Sequence, residues 1–236
     1  MSILSALQSA SVKLIGRRPL TFFGATEMFE MEICDFANEV AEDIAQYCDW
    51  QSLTQIHTIT GDGTTAVFPL PDDYDRMLVR SEVQDTVNWA FGYRNYIDIN
   101  AFLFDEARNF NPFPGGWIIY GNEMRFSPAP ASGASATFPY ISKNWASSAS
   151  GSAKTAFDTD TDTFNLLDDK KANRLLMLGI VWRWNENKRL DATGDQEAFT
   201  KALDEYSSKD RGSRVIRLSS RRFLPGTYPA WPWPLG

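Results

Sequence analysis

Few residues of this 236-residue chain are suited to chemistry. Asp158, Asp160 and Asp162 alternate in FDTDTDTF, the spacing that opens a calcium-binding EF-hand loop. Such a loop also needs a glycine at its sixth position for the turn and a bidentate glutamate at its twelfth. Those places hold Thr163 and Asp169, so an acidic surface loop without tight calcium binding is expected. The single His57 and two cysteines, Cys34 and Cys48, cannot assemble a zinc site of the usual ligand types. They also leave any His-based triad with one possible base. Within one helical pattern the two cysteines stand too far apart for a disulfide and read as buried thiols. No G-x-S-x-G, H-E-x-x-H or glycine-rich phosphate loop occurs. No catalytic residue, metal ligand or cofactor is therefore expected. A carbohydrate site stays open, because sequence does not give the separation of carboxylates and eight tryptophans could line a groove. Trp50, Trp182 and Trp184 nevertheless lie on helical patterns and Trp117 on a strand, where core packing is the commoner role.

Binding, rather than reaction, is what the end of the chain suggests. RGSRVIRLSSRRFLPGTYPAWPWPLG places Arg214, Arg217, Arg221 and Arg222 ahead of Phe223, Tyr228, Trp231 and Trp233. Its four prolines bar it from a helix interior or a central strand. Its aromatics are the side chains that gain most from burial. From Ser208 onward the net charge is +5 against a chain total of −7, so the first 207 residues carry −12. Charge alone would permit nucleic-acid contact, but an acidic body repels a phosphate backbone. Residues 211–236 therefore read as a docking arm for an acidic protein surface.

The elements that must position this arm follow from periodicity. Ile3, Leu4, Leu7, Ala10, Ser11 and Leu14 recur at helical spacing over 3–15, with Gly16 as a stop. Ile33, Phe36, Val40, Ile44 and Tyr47 predict an amphipathic helix over 27–49, with Glu32, Glu39 and Asp43 on a solvated face. The period then changes to two. QIHTIT, GDG and TTAVFPL predict one hairpin, and GWIIYGNEMRFSP predicts another turning at Gly121 and Asn122. SATFPYISKNW is a strand that Pro139 marks as edge or bulged. Residues 81–112 yield no assignment, and ASSASGSA at 146–153 is a small-residue loop. Helical spacing returns with Leu175, Leu178, Val181 and Trp182 behind Asp168 and Asp169, and again over 195–210 with Phe199, Leu203 and Tyr206 before Gly212.

Two helices, a β-rich block and two more helices give an α+β fold. The simplest arrangement pairs the N-terminal helices (1–52) with the C-terminal helices (164–210) as a four-helix α domain. A β-rich domain (53–145) is then inserted, followed by a loop (146–163) and the extended arm (211–236). No apolar run approaches the roughly 20 residues that span a bilayer, and the N-terminus shows no secretory signal pattern.

CDWQSL, FPLPDDYDRM, YGNEMRFSPAPASGASATFPYISKNWA and FDTDTDTFNLLDDKKANRLLMLGIVWRWNENKRLD together resemble the head-to-tail adaptors (connector or neck proteins) of tailed bacteriophages, especially short-tailed ones. The resemblance covers most of 30–205 and rests on structural motifs. It implies a virion protein without catalytic residues, forming a ring, normally dodecameric, beneath the portal and above the tail, whether nozzle or tube. It further implies DNA passing without sequence-specific binding, and an arm, with the site residues Arg214, Arg217, Arg221, Arg222, Phe223, Tyr228, Trp231 and Trp233, climbing onto the portal. YPAWPWPLG itself matches nothing in that pattern. Another tail-tube or baseplate protein, or a carbohydrate-binding or carbohydrate-active protein, is the alternative.

Overall fold

The computed structural model describes residues 2–79, 81–85, 92–108, 115–166 and 168–210. In chain order the elements are α1 (Leu4–Ile15), α2 (Met28–Tyr47), β1 (Thr54–Thr60), β2 (Val67–Pro69), β3 (Tyr74–Met77), β4 (Arg94–Asn95) and α3 (Ile99–Ala107). They continue with β5 (Gly116–Tyr120), β6 (Glu123–Ser127), β7 (Ser135–Ser142), β8 (Ala146–Ser147), β9 (Ala153–Lys154), β10 (Thr163–Phe164), α4 (Asp169–Asn187) and α5 (Thr193–Asp210). The fold is α+β, as expected. No helix among the described residues is long and apolar enough to cross a membrane.

Two compact units emerge. Among the described residues, one takes in those within 2–58, 69–82 and 137–210, the other those within 59–68, 83–108 and 115–136.

In the first unit α4 packs against α1, α2 and α5, and α1 also touches α2. The sequence explains this central place. LLMLGIV leaves α4 apolar on more than one side, which is what a helix surrounded by others requires. Leu175, Leu176, Gly179, Ile180 and Val181 are all buried, with Leu178 and Trp182 half-buried against the same core. Ile33, Ala37, Val40, Ala41 and Ile44 of α2 are fully enclosed. Each large aliphatic side chain so buried contributes about 1.5–3 kcal/mol relative to exposure. The core also draws in Ile141, Trp145, Phe157 and Phe164, whose last three rings meet edge to face at 4.9–6.0 Å.

Strand pairing corrects two expectations. β1 and β2 form no hairpin: β1 joins the sheet β1-β7-β3, and β2 joins β2-β6-β5-β4. Asp62 accepts the N–H groups of Thr64 and Thr65 at 2.8 and 2.6 Å, so this turn closes on itself without pairing its flanks. Pro139 lies on β7, the central strand of its sheet rather than an edge. A register irregularity does occur in that ladder, but on β3 between Tyr74 and Arg76.

Other expectations hold. α1 ends at Gly16, whose left-handed φ of 68° closes the helix. β5 and β6 form the expected hairpin, turned by Gly121 (φ 63°) and Asn122 (φ 64°), the paired positive φ of a type I′ turn. Gly212, expected to close α5, lies outside the described residues.

In the second unit, residues without a sequence assignment include α3. Asp98 caps it by accepting from the Asn100 N–H at 2.9 Å. Phe102 alone on this helix is buried, in a small core with Tyr96 and Ile118. Tyr96 and Asp105 hold the helix by a hydrogen bond of 2.7 Å.

Candidate interaction surfaces

The residues expected to dock, Arg214, Arg217, Arg221, Arg222, Phe223, Tyr228, Trp231 and Trp233, all lie outside the described residues. The structure does define where the chain enters this segment. α5 turns Phe199, Ala202, Leu203 and Tyr206 inward. Its last turn is tied to the end of α2: the Tyr47 hydroxyl bonds to Asp204, and the Gln51 N–H donates to Asp210 Oδ2 at 2.9 Å. Asp210 therefore delivers the chain beside the C-terminal end of α2.

The outward side of α2 carries acidic charges alone. Met28, Met31, Asp35, Glu39, Glu42 and Gln46 follow helical spacing along it and are all exposed, Met28 at 70% and Met31 at 45%. α2 contains no lysine or arginine. The face expected to be merely solvated is partly paired instead. Arg183 of α4 reaches Asp43 at 2.7 Å and Glu39 at 3.4 Å, and Lys188 reaches Glu32 at 2.7 Å. The correction has a simple cause, since α4 runs against α2 and presents its own basic residues to that flank. Asp35 and Glu42 carry no ion pair among the described residues.

The loop at 158–162 does structural work. Asp160 accepts the N–H groups of Phe22 and Phe23, each at 3.1 Å, and the Thr21 hydroxyl. Asp162 is wholly buried and receives the N–H groups of Asp158 and Thr159, the Thr159 hydroxyl and the Lys154 ammonium. Burial alone would push its carboxyl up, but those donors together outweigh burial and hold it at about 2. The Asp162 carbonyl also receives the Ile3 N–H at 2.7 Å, which ties this loop to the start of α1. Among the described residues no group of three or more His, Cys, Asp or Glu could hold a metal ion.

Arg76 forms a second clasp that sequence reasoning missed. Its guanidinium donates to Asp49 at 3.3 Å, to the Cys48 carbonyl at 3.0 Å and to Gln46 at 2.8 Å, where a cation suits the negative end of α2. CDWQSL and FPLPDDYDRM thus meet in space. Only the opposite charges in the two motifs hinted at this.

α3 offers an apolar surface in the second unit, also missed. Ile97 is 96% exposed, and Ile99, Leu103 and Phe104 extend the patch, with Arg108 stacked 3.9 Å over the Phe104 ring. Asp98 before an apolar run was the available helix signal, obscured by the aromatic, Asn-rich flanks.

The remaining chemical candidates are packing residues. His57 rests edge-on against Phe138 at 5.6 Å. Trp50, Trp117 and Trp145 are buried, while Trp182 and Trp184 are half-buried against the helical core. Cys34 is buried, while Cys48, expected buried, is half-exposed where α2 ends.

A family model described as SU10 adaptor protein matches residues 1–221. No curated protein matches the chain.

Proposed function

From the premise that the chain belongs to the SU10 adaptor protein family, phage structural adaptors that join head to tail rather than enzymes, we propose that it forms a ring beneath the portal. The ring, dodecameric in this reading, carries the tail nozzle or tube below and conducts DNA through its centre. In this arrangement α1, α2, α4 and α5 build the ring's helical body, with the second unit as an insertion. Residues 211–236 climb onto the portal, using Phe223, Tyr228, Trp231 and Trp233 as anchors and Arg214, Arg217, Arg221 and Arg222 to steer.

The division of charge carries this reading. A body of −12 repels phosphate along a lumen, so DNA passes without being held. The +5 arm suits an acidic protein surface. Repeated around a ring, arms bind cooperatively, because the first to dock places the others at high effective concentration.

The exposed face of α3 is assigned to a neighbouring copy. A nine-residue helix is marginal on its own, and this one buries a single side chain, Phe102. Its flanks carry both signs of charge in Arg94, Arg108, Asp98 and Glu106, which suits a partner of mixed charge such as the same chain.

Truncation after Asp210 tests the reading. The truncated protein is expected to keep its thermal transition and lose co-sedimentation with portal rings. Wild-type attachment by the truncated protein would overturn the docking role of the arm.

A further inference from the structure

We propose that the strap between α1 and α2 (residues 16–27) and the end of α1 beside it dock on the outward α2 face of the next copy. Leu20, Val12 and Ile15 meet Met28 and Met31, and Lys13 and Arg18 meet Asp35 and Glu42. The proposal rests on the ring reading above and gives it a contact between helical bodies. All of these residues lie in the first unit.

Three observations carry it. The first is a leucine held open. Leu20 is 88% exposed, yet the strap that bears it is pinned before and after it. Gln8 of α1 donates to the Pro19 carbonyl at 2.9 Å and accepts the Arg18 Nε–H at 3.0 Å. Arg17 reaches Glu27 and Glu30 at 2.7 and 2.8 Å. Asp160 takes the N–H groups of Phe22 and Phe23, and the Phe22 ring is buried. An apolar side chain fixed in this way has already lost much of the freedom that binding would otherwise cost. Gln8, Val12 and Ile15 follow one another at i, i+4 and i+7, so the strap that Gln8 holds lies along the stripe of Val12 and Ile15, which are exposed too.

The second is charge complementarity. Lys13 and Arg18 stand beside these apolar residues, both exposed and without an ion pair among the described residues. On α2, the exposed Met28 and Met31 precede Asp35 and Glu42, which likewise have no ion pair among the described residues. Each surface thus combines apolar side chains with charge of one sign, and the two signs are opposite. Methionine is unbranched and adaptable, which suits it to receive a leucine that cannot itself move far.

The third is placement. α4 packs against both α1 and α2, so the exposed stripe of each helix is turned away from α4, on a different flank of the bundle. A contact between two different surfaces runs head to tail, and repeated by a closing rotation it makes a ring. A single self-complementary patch would stop at a pair. The helical contact adds to the one assigned to α3.

Charge exchange, read by sedimentation velocity of the full-length protein, tests this. Lys13→Glu with Arg18→Glu, and separately Asp35→Lys with Glu42→Lys, should each weaken self-association about tenfold at roughly 0.1 M salt. Mixed in equal amounts, the two variants should recover assembly, because every altered surface then faces its opposite on the next copy. Leu20→Ser should weaken association at roughly 0.1 M and 0.5 M salt alike, since apolar burial is not screened. All five positions are exposed, and an unchanged thermal transition shows that the variants are folded. Variants that associate as the wild type does would overturn this contact alone, as would a mixture no better than its components. A mixture that recovers only pairs would make the contact two-fold and overturn its head-to-tail placement. A wild type that stays monomeric even on portal rings would overturn the ring reading together with the contact.

Discussion

Val40 of α2 occupies the space that a β-carbon on Gly179 of α4 would need, and Phe199 of α5 closes the same space at 3.0 Å. Glycine inside a helix costs about 1 kcal/mol relative to alanine. Here it lets three helices approach at one point. Gly179→Ala is therefore expected to destabilise by about 1–3 kcal/mol, overpacking outweighing the gain in helix propensity. Val40→Asp should cost more, about 3–5 kcal/mol, because it leaves a charge buried without a partner. Denaturant midpoints check both, and wild-type midpoints would show that α2 and α4 do not share this core.

Asp162 makes stability depend on pH at the acid end. Its carboxyl falls from an ordinary 3.8 to about 2 on folding. A depressed carboxyl contributes stability fully above its unfolded value and loses it as pH falls through its folded value. Wild type should thus weaken between about pH 4 and pH 2 more steeply than Asp162→Asn, which has no proton to take up there. Parallel unfolding curves for the two across this range would remove Asp162 from the acid response.

The same loop is expected to leave calcium alone. Asp160 and Asp162 already receive backbone and side-chain donors, and Asp158 is paired with Lys154. Titration calorimetry should show no binding. A micromolar site abolished by Asp160→Ala would sink this reading of the loop.

On the portal, aromatic anchors should outweigh arginines. Each buried tryptophan contributes on the order of 2–3 kcal/mol, while exposed ion pairs contribute about 0–1 kcal/mol and weaken with salt. Trp231→Ala with Trp233→Ala should lower affinity for portal rings more than Arg221→Ala with Arg222→Ala, and with less salt dependence. The reverse ranking would make the arm an electrostatic tether.

Substitution on α3 separates assembly from folding. Leu103→Asp with Phe104→Ser alters exposed positions, so the thermal transition should change by under about 1 kcal/mol. Ring formation, read by sedimentation velocity, should be lost. Rings of normal size from this variant would assign the face elsewhere.

The helices were legible because their information is local. Ile33, Val40 and Ile44 recur at 3.6-residue spacing, Gly16 closes α1, and Gly121 with Asn122 can only turn β5 into β6. Each of these is decided within a few residues. Partner choice is not. β1 lies seven residues before β2 and pairs with β7 instead, because a strand takes the neighbour that buries its face, whatever the distance along the chain. Pro139 sits within a central strand, and the irregularity of its ladder lies on β3, opposite Ser142 and Ile141. α3 was hidden because the apolar residues that would reveal a buried stripe mostly face outward. The residues proposed to dock were readable as a composition of arginine, proline and aromatics, and the surface they would meet is not encoded beside them. Asp158, Asp160 and Asp162 carried a metal-like spacing by themselves. Only the tertiary structure brought Thr21, Phe22, Phe23 and Lys154 to them, turning carboxylates that could have faced an ion into acceptors that hold the segment after α1 and the loop itself in place.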